Sequence, residues 1–291
     1  MTANLLNIAA IACYSITWAM IILRLRSVIN NPEKHKTTTK LYFLPWLLAL
    51  LLHIAGIHLP LSGGNQLAFN FISLGSYVMW FISLVLFITT LSRRVESLAI
   101  IILPIALISI IILMTGDTDS DKVINMRSGL GLHVLVSLLA YSILMLASFQ
   151  AILLAVQNHH LHSRHHGRQS TNLIRTLPSL EDMEHFLFRL IALGVILLSI
   201  SLLSGFYFLD NLFGSHVAHK TILSIISWII FSLLLFGRWK YGWRGKTAVR
   251  WTLTGFVVLA LAFFGSKFIQ EFVLDKNPTQ TSYISDTMRI S

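Results

Sequence analysis

Histidines within apolar segments are the residues of this sequence with the clearest capacity for chemistry. His53 and His58 lie in "FLPWLLALLLHIAGIH", His133 lies in "SGLGLHVLVSLLAYS", and His219 precedes Lys220 in "FGSHVAHKTILSIISW". A neutral imidazole can bind a metal ion through a ring nitrogen. An ionisable group inside a long apolar segment is costly, which indicates a function. The four histidines are therefore candidate ligands.

The segments that carry these histidines are long enough to cross a membrane. The chain of 291 residues is 55% hydrophobic and 12% charged, with a mean hydropathy of +0.73, whereas a soluble domain is about 25% charged. An apolar helix of about 20 residues spans a bilayer. We therefore predict an all-α polytopic membrane protein, a bundle of eight transmembrane helices. The spans lie at about residues 4–23, 41–60, 67–91, 97–114, 130–156, 186–209, 220–237 and 251–273.

The loops between the spans alternate in charge. Basic residues follow spans one, three, five and seven, whereas the other loops are neutral or acidic. Because basic loops stay in the cytoplasm, we predict both termini on the outer, periplasmic side of a bacterial cytoplasmic (inner) membrane. Contact with anionic membrane lipid then explains the net charge of +10, and nucleic acid is not expected as a partner. The basic residues are Arg24, Arg26, Lys34, Lys36, Lys40, Arg93, Arg94, Arg164, Arg168, Arg175, Arg238, Lys240, Arg244, Lys246 and Arg250.

This orientation brings histidines of three spans to the outer third of the bilayer. His58 ends span two, His133 lies one turn into span five, and His219 heads span seven. His53 lies about 7.5 Å deeper than His58. Imidazole is an axial ligand of haem iron, and a flat apolar macrocycle fits between helices, with Lys220 beside a propionate. The alternative is that each histidine is a hydrogen-bonded residue of a helix interface.

The longest cytoplasmic loop, at about residues 157–185, holds two separate features. The histidines of "QNHHLHSRHHGRQS" could bind a divalent metal, but a solvated basic loop is the favoured interpretation because no acidic or thiol ligand accompanies them. In "LPSLEDMEHF", Ser179 followed by Asp182 predicts a capped helix start. The histidines of the cluster are His159, His160, His162, His165 and His166.

The single cysteine, Cys13, lies in the first span. It excludes an internal disulfide, a CxxC redox pair and a c-type haem attachment motif in this chain. The spans also lack a nucleophile–base pair and paired carboxylates, so direct catalysis by this chain is not expected.

The second half of the chain resembles a known superfamily. "SGLGLHVLVSLLAYSILMLASFQAILL" is similar to the histidine-containing span of the CcsA/CcmF/HemX superfamily of membrane haem-handling, cytochrome c assembly proteins. "GWRGKTAVRWTLTGFVVLALAFFGSKFIQE" is similar to the last loop and last span of that superfamily, and "HKTILSIISW" with "FFGSKF" most resembles its YpjD/HemX-like branch. We predict an N-terminal four-span half at 1–114, a C-terminal CcsA/HemX-like core at 129–273 and a short outer tail at 274–291.

The resemblance also implies ligands and partners. His133 matches the external haem-ligating histidine of the superfamily, and His219 stands at a position specific to the branch. An accessory protein of this kind would hold haem, expected as haem b, near the outer surface. Its partners would be cytochrome c assembly factors or haem-biosynthesis proteins. His133 would be one axial ligand of the iron, with His219, His53 or His58 as the second.

Three positions depart from the cytochrome c synthases of the superfamily. No tryptophan lies between Trp80 and Trp228, where the synthases have a tryptophan-rich segment; Phe236 aligns with a synthase histidine; and no histidine follows the last span. The chain is therefore not expected to be a synthase itself. Two other functions stay open. One is a regulatory or structural membrane protein that acts on haem-pathway partners without binding haem. The other is a small-solute transporter, against which the lack of paired broken helices argues.

Overall fold

The computed structural model describes residues 2–30, 41–58, 66–68, 70–92, 95–116, 123–125, 128–163, 178–208 and 218–265. Within these ranges the chain forms eight α-helices and two short strands. α8 continues into a π-helical turn, Leu261–Gly265. The helices are α1 (Thr2–Asn30), α2 (Phe43–His58), α3 (Phe71–Ser92), α4 (Glu96–Thr115), α5 (Gly129–Ser163), α6 (Leu180–Phe208), α7 (Ala218–Tyr241) and α8 (Lys246–Ala260), and the strands are β1 (Gln66–Ala68) and β2 (Val123–Asn125).

Seven helices are long and apolar enough to cross a membrane. The eighth, α2, has 16 residues and rises about 24 Å, which is less than the roughly 30 Å of a hydrocarbon core. Large apolar side chains face outward, such as Leu44, which is 74% exposed, and Leu203, which is 69% exposed. Such outward apolar surface is expected where a protein faces lipid rather than water. The prediction of an all-α polytopic membrane protein is confirmed, with the β1–β2 pair as the sole sheet in the described ranges.

The helices form two rings of four. In the first ring, α1 and α3 each contact α2 and α4; in the second ring, α5 and α7 each contact α6 and α8. The rings join chiefly where α3 packs against α5. The predicted boundaries at 1–114 and 129–273 stay a prediction, and the tail at 274–291 lies outside the described residues.

Both rings share the same two ends, because successive helices run in opposite directions. We name one the histidine end, since His58, His133 and His219 lie there at the end of α2 and the starts of α5 and α7. We name the other the arginine end, since Arg24 and Arg238 lie there near the ends of α1 and α7. The antiparallel β1–β2 pair ties two connections together at the histidine end. Which end faces the periplasm stays a prediction.

The start of α6 follows the predicted cap. Ser179 Oγ accepts a hydrogen bond from the Asp182 backbone N–H at 3.1 Å, and the Ser179 hydroxyl donates to Asp182 Oδ2 at 2.6 Å. This exchange satisfies a backbone donor that the helix itself leaves without a partner. Glu181 and Asp182 also place negative charge at the positive end of the helix dipole. The predicted helix start at Ser179 is therefore confirmed.

Candidate functional site

His133 is placed by the close approach of α5 and α6. Gly129 begins α5, and a Cβ at this position would collide with the Phe208 ring at the end of α6. Only a residue without a side chain fits such a contact. One turn further along α5, the half-buried His133 reaches Ser204 of α6, with 2.9 Å between Nδ1 and Oγ.

Ser204 is the hydroxyl partner of the His133 ring. A serine hydroxyl has a single proton, and the Ser204 hydroxyl donates it to the Ser201 carbonyl at 2.9 Å. With the hydroxyl directed at that carbonyl, Ser204 Oγ is left to accept from the His133 ring, an arrangement in which Nδ1 of the neutral ring carries the proton. In this tautomer Nε2 keeps a lone pair. Metal-binding histidines are commonly held in this way, with one ring N–H donated to the protein.

Two further hydroxyls support this contact between α5 and α6. The Ser137 hydroxyl donates to the His133 carbonyl at 2.6 Å, and its Oγ lies 2.6 Å from Ser201 Oγ. With the Ser137 hydroxyl donating to the carbonyl, the Ser201 hydroxyl is left to donate between the two serines. We refer to His133, Ser137, Ser201 and Ser204 together as the serine ladder.

Sequence reasoning missed the three serines of the ladder. Their signal is spacing within apolar spans: Ser201 and Ser204 are three apart in "SISLLSG", and His133 and Ser137 are four apart. Residues three or four apart share one face of a helix. Each span therefore presents one polar stripe, although the sequence does not show that the two stripes meet.

His219 and Lys220 are the second and third residues of α7. Their helix begins at the histidine end, and Lys220 is half-buried there. The side chain of His219 lies outside the described residues. The pairing of His219 with His133 across one iron therefore stays a prediction.

His58 is the last residue of α2 and is half-buried. Its ring centroid lies 5.5 Å from that of Tyr77 on α3. The Tyr77 hydroxyl is buried and has no hydrogen-bond partner in the described part of the chain. His58 therefore stays a candidate at the histidine end of the first ring.

His53 has different surroundings from the other three histidines. It is fully buried in the first ring, with Nε2 at 2.9 Å from Ser76 Oγ and Nδ1 at 3.3 Å from Tyr14 OH. Both ring nitrogens are engaged, so neither is available to iron in this arrangement. The role of His53 as a ligand stays a prediction, which this arrangement does not favour because α1 and α3 enclose the ring.

The histidine cluster at the arginine end is described only in part. His159 and His160 lie near the end of α5, with their rings edge to face at 6.1 Å. Within the described ranges, no group of three His, Cys, Asp or Glu residues could hold a metal ion. The side chains of His162, His165 and His166 lie outside the described residues, so metal binding by the full cluster is not assigned.

Known proteins similar to this chain include membrane proteins of cytochrome c assembly. The chain is 27% identical over 267 residues to the inner membrane protein YpjD of Escherichia coli (strain K12), covering 91% of this chain and 97% of that protein. It is 27% identical over 135 residues to protein HemX of Brevibacillus brevis, covering 46% of this chain and 48% of HemX. It is also 27% identical over 142 residues to the cytochrome c biogenesis protein CcsA of Chlamydomonas reinhardtii, covering 48% of this chain and 38% of CcsA. No solved structure matches the chain.

One family model matches most of the sequence. The family is described as Cytochrome C assembly protein, and the match runs over residues 38–274. It takes in α2 to α8, including every residue of the serine ladder. The predicted resemblance to the CcsA/HemX-like superfamily is confirmed: the chain belongs to the cytochrome c assembly protein family.

Proposed function

We propose that this protein is a haem-handling accessory protein of cytochrome c assembly that holds haem at the histidine end through His133. Family membership connects the chain with cytochrome c assembly. The observation that carries the proposal is the contact of His133 Nδ1 with Ser204 Oγ at 2.9 Å, which occupies one ring nitrogen and suits a tautomer with an unprotonated Nε2. An imidazole nitrogen of this kind is an axial donor to haem iron.

Each residue has a defined task in the proposal. His133 would be one axial ligand through Nε2, and His219 the second, with His58 as the alternative at the same end. Ser204 would hold the His133 ring and its tautomer, and Lys220 would pair with a propionate. Bound haem, expected as haem b, would supply an iron centre whose redox potential depends on these ligands and their hydrogen bonds.

The position of His133 along α5 suits a flat, mainly apolar ligand. Four residues separate it from the helix start, which is about 6 Å along the axis. Leu130 and Leu132 beside it are 39% and 55% exposed, so apolar surface is present next to the ligand nitrogen. A macrocycle held at this depth would lie among apolar side chains, while its propionates would reach the membrane surface.

The proposed location is consistent with the fold. The protein is a multi-pass protein of the bacterial inner membrane: seven helices are long and apolar enough to cross it, and the YpjD relative is named an inner membrane protein. With the arginine end in the cytoplasm, as the charge pattern predicts, the histidine end faces the periplasm. We propose other cytochrome c assembly factors as partners there, since haem at this surface could be passed on without crossing the bilayer again.

A haem titration tests the proposal. Haem b is added to the full-length protein in a nonionic detergent, and the Soret band is compared with that of haem in detergent alone. Wild-type protein should shift the band, because the iron gains a nitrogen ligand. His133→Ala should lose the shift, whereas His185→Ala should keep it, since His185 is exposed on α6 at the arginine end.

Two results would contradict the proposal. One is a wild-type protein that leaves the Soret band of haem unchanged; the other is a His133→Ala protein that shifts it as the wild type does. In the first case the alternative takes its place, a regulatory or structural protein that acts on haem-pathway partners without binding haem. A pull-down of membrane partners would then identify what it acts on.

A further inference from the structure

A cavity of about 380 Å³ lies at the arginine end, between α5, α6 and the first turns of α8. Its walls include apolar and basic side chains, together with the polar Asn158 and His159 and the carboxylate of Glu184. Leu154, Leu180 and Val249 are apolar, whereas Lys246 and Arg250 are basic. Apolar and cationic groups on one cavity fit a ligand with an apolar part and an anionic part.

The two cations are not offset by the protein around them. Lys246 and Arg250 are exposed, lie one turn apart on α8, and have no carboxylate within ion-pair distance among the described residues. Like charges four residues apart repel. The first turn of a helix is also the positive end of its dipole, and α8 has neither an acidic residue nor a side-chain cap there. Glu184 already accepts the N–H of Gly245 at this helix start, so an anion bound here would be stabilised chiefly by the two cations.

The carboxylate on the cavity wall, that of Glu184, does not pair with Lys246 or Arg250. Glu184 Oε2 lies 3.0 Å from Arg244 Nε and 3.8 Å from Arg238 Nη1, and its Oε1 accepts the Gly245 N–H at 2.7 Å. The hydrogen bond to Glu184, together with its charge, raises the pKa of the Arg244 guanidinium above its ordinary value. Arg244 Nη2 also lies 3.9 Å from Glu181 Oε1, so these two arginines and two carboxylates balance one another. Lys246 and Arg250 are then the cations of the cavity that no described carboxylate offsets.

Aromatic side chains place the cavity at the level of lipid headgroups. The Trp243 ring lies 5.4 Å from that of Trp251 and 6.5 Å from that of Tyr241. These residues flank the start of α8, where its membrane-crossing segment begins at Lys246. Tryptophan and tyrosine concentrate at the membrane–water interface, so the phosphates of a lipid leaflet lie at the depth of the cavity.

We propose that this cavity binds the headgroup of an anionic phospholipid, independently of haem. The phosphate would lie against Lys246 and Arg250, and the beginning of an acyl chain would cover Leu154, Leu180 and Val249. Basic pockets between membrane helices bind anionic headgroups in this way. A free phosphate ion would engage the cations but leave the apolar wall uncovered, so the composition of the walls favours a lipid.

The experiment uses the full-length protein, stripped of lipid in a nonionic detergent. Binding of a fluorescent short-chain phosphatidylglycerol is measured, with dioctanoyl phosphatidylglycerol, dioctanoyl phosphatidylcholine and inorganic phosphate as competitors. Phosphatidylglycerol should displace the probe at concentrations at which the other two do not. Replacing Lys246→Gln and Arg250→Gln together should weaken binding on the order of tenfold, whereas Lys240→Gln, which removes an exposed cation outside the cavity, should not.

A second variant separates a built site from general attraction to a basic surface. Ala155 lines the cavity, and Ala155→Phe fills it while keeping both cations, so this variant should also lose the probe. Thermal unfolding without lipid identifies the variants that are folded, and Arg250→Gln alone replaces the double variant if that one is not. Retained binding in Ala155→Phe, equal loss in Lys240→Gln, or equal displacement by phosphatidylcholine or inorganic phosphate would each overturn the proposal.

Discussion

His53 in the first ring and His133 in the second ring both contact a serine, yet their surroundings leave them with different chemistry. His53 is fully buried, with a hydroxyl at each ring nitrogen, from Ser76 and Tyr14. His133 is half-buried, with a hydroxyl at Nδ1 alone. A histidine inside a membrane bundle is thus a candidate ligand when a protein hydroxyl contacts one ring nitrogen and none contacts the other.

The two rings also differ in how the hydroxyl protons are arranged. Ser76 and Tyr14 can each donate or accept, so they suit either tautomer of His53. The Ser204 hydroxyl donates a hydrogen bond to the Ser201 carbonyl. Its oxygen is then left to accept a hydrogen bond from the His133 ring, which suits only the tautomer with a proton on Nδ1. The contacts of the first ring therefore hold the helices together, whereas in the proposed function those of the second ring would orient a nitrogen for binding.

The largest effect that tests this contrast is expected at His53. His53→Ala removes a fully buried ring and takes one hydrogen-bond partner from each of Tyr14 and Ser76, which should lower the free energy of unfolding by about 3 kcal/mol. Haem binding per folded protein should be unchanged. Thermal unfolding in detergent and the Soret titration measure the two quantities, with the exposed His185→Ala as the control, expected within about 0.5 kcal/mol of wild type. Lost haem binding at unchanged stability would reverse the roles assigned to His53 and His133.

Some features of this fold are predictable because they depend on nearby residues. The cap at Ser179 and Asp182 involves residues three apart. The gathering of His58, His133 and His219 at one end follows from the number of spans and their alternating direction. Both kinds of feature can be derived from the sequence without knowing which faces of the helices touch.

The partners of the histidines could not be derived in this way. Tyr14 is 39 residues from His53, and Ser204 is 71 residues from His133. Which residues meet depends on the rotation of each helix about its axis, and a span that is apolar on every face does not encode that rotation. The hydroxyl partners of His53 were missed for this reason, and Ser204 was missed for the same reason.

A smaller effect is expected from the two serines that contact these histidines. Ser204→Ala releases the tautomer of His133 and should weaken haem binding about tenfold, as is typical for a residue that orients a metal-binding histidine. Ser204→Thr keeps the hydroxyl and should restore most of the affinity. Ser76→Ala should instead lower the free energy of unfolding by about 1 kcal/mol and leave haem affinity unchanged. Haem titration and thermal unfolding of the three variants separate the two roles, and equal haem affinities in Ser204→Ala and wild type would contradict the role of Ser204.

The smallest expected effect distinguishes two ways of holding His133: the single hydrogen bond to Ser204, or the packing of the whole serine ladder. Ser201 accepts the Ser204 proton through its backbone carbonyl, whereas its hydroxyl donates to Ser137. Ser201→Ala keeps the carbonyl, so the tautomer of His133 is retained, and haem affinity should change less than about twofold. The lost hydroxyl should lower the free energy of unfolding by about 1 kcal/mol. If Ser201→Ala weakened haem binding as much as Ser204→Ala, packing of the whole ladder would hold His133. His133 would then differ from His53 through the packing of α5 against α6, and not through the position of one proton.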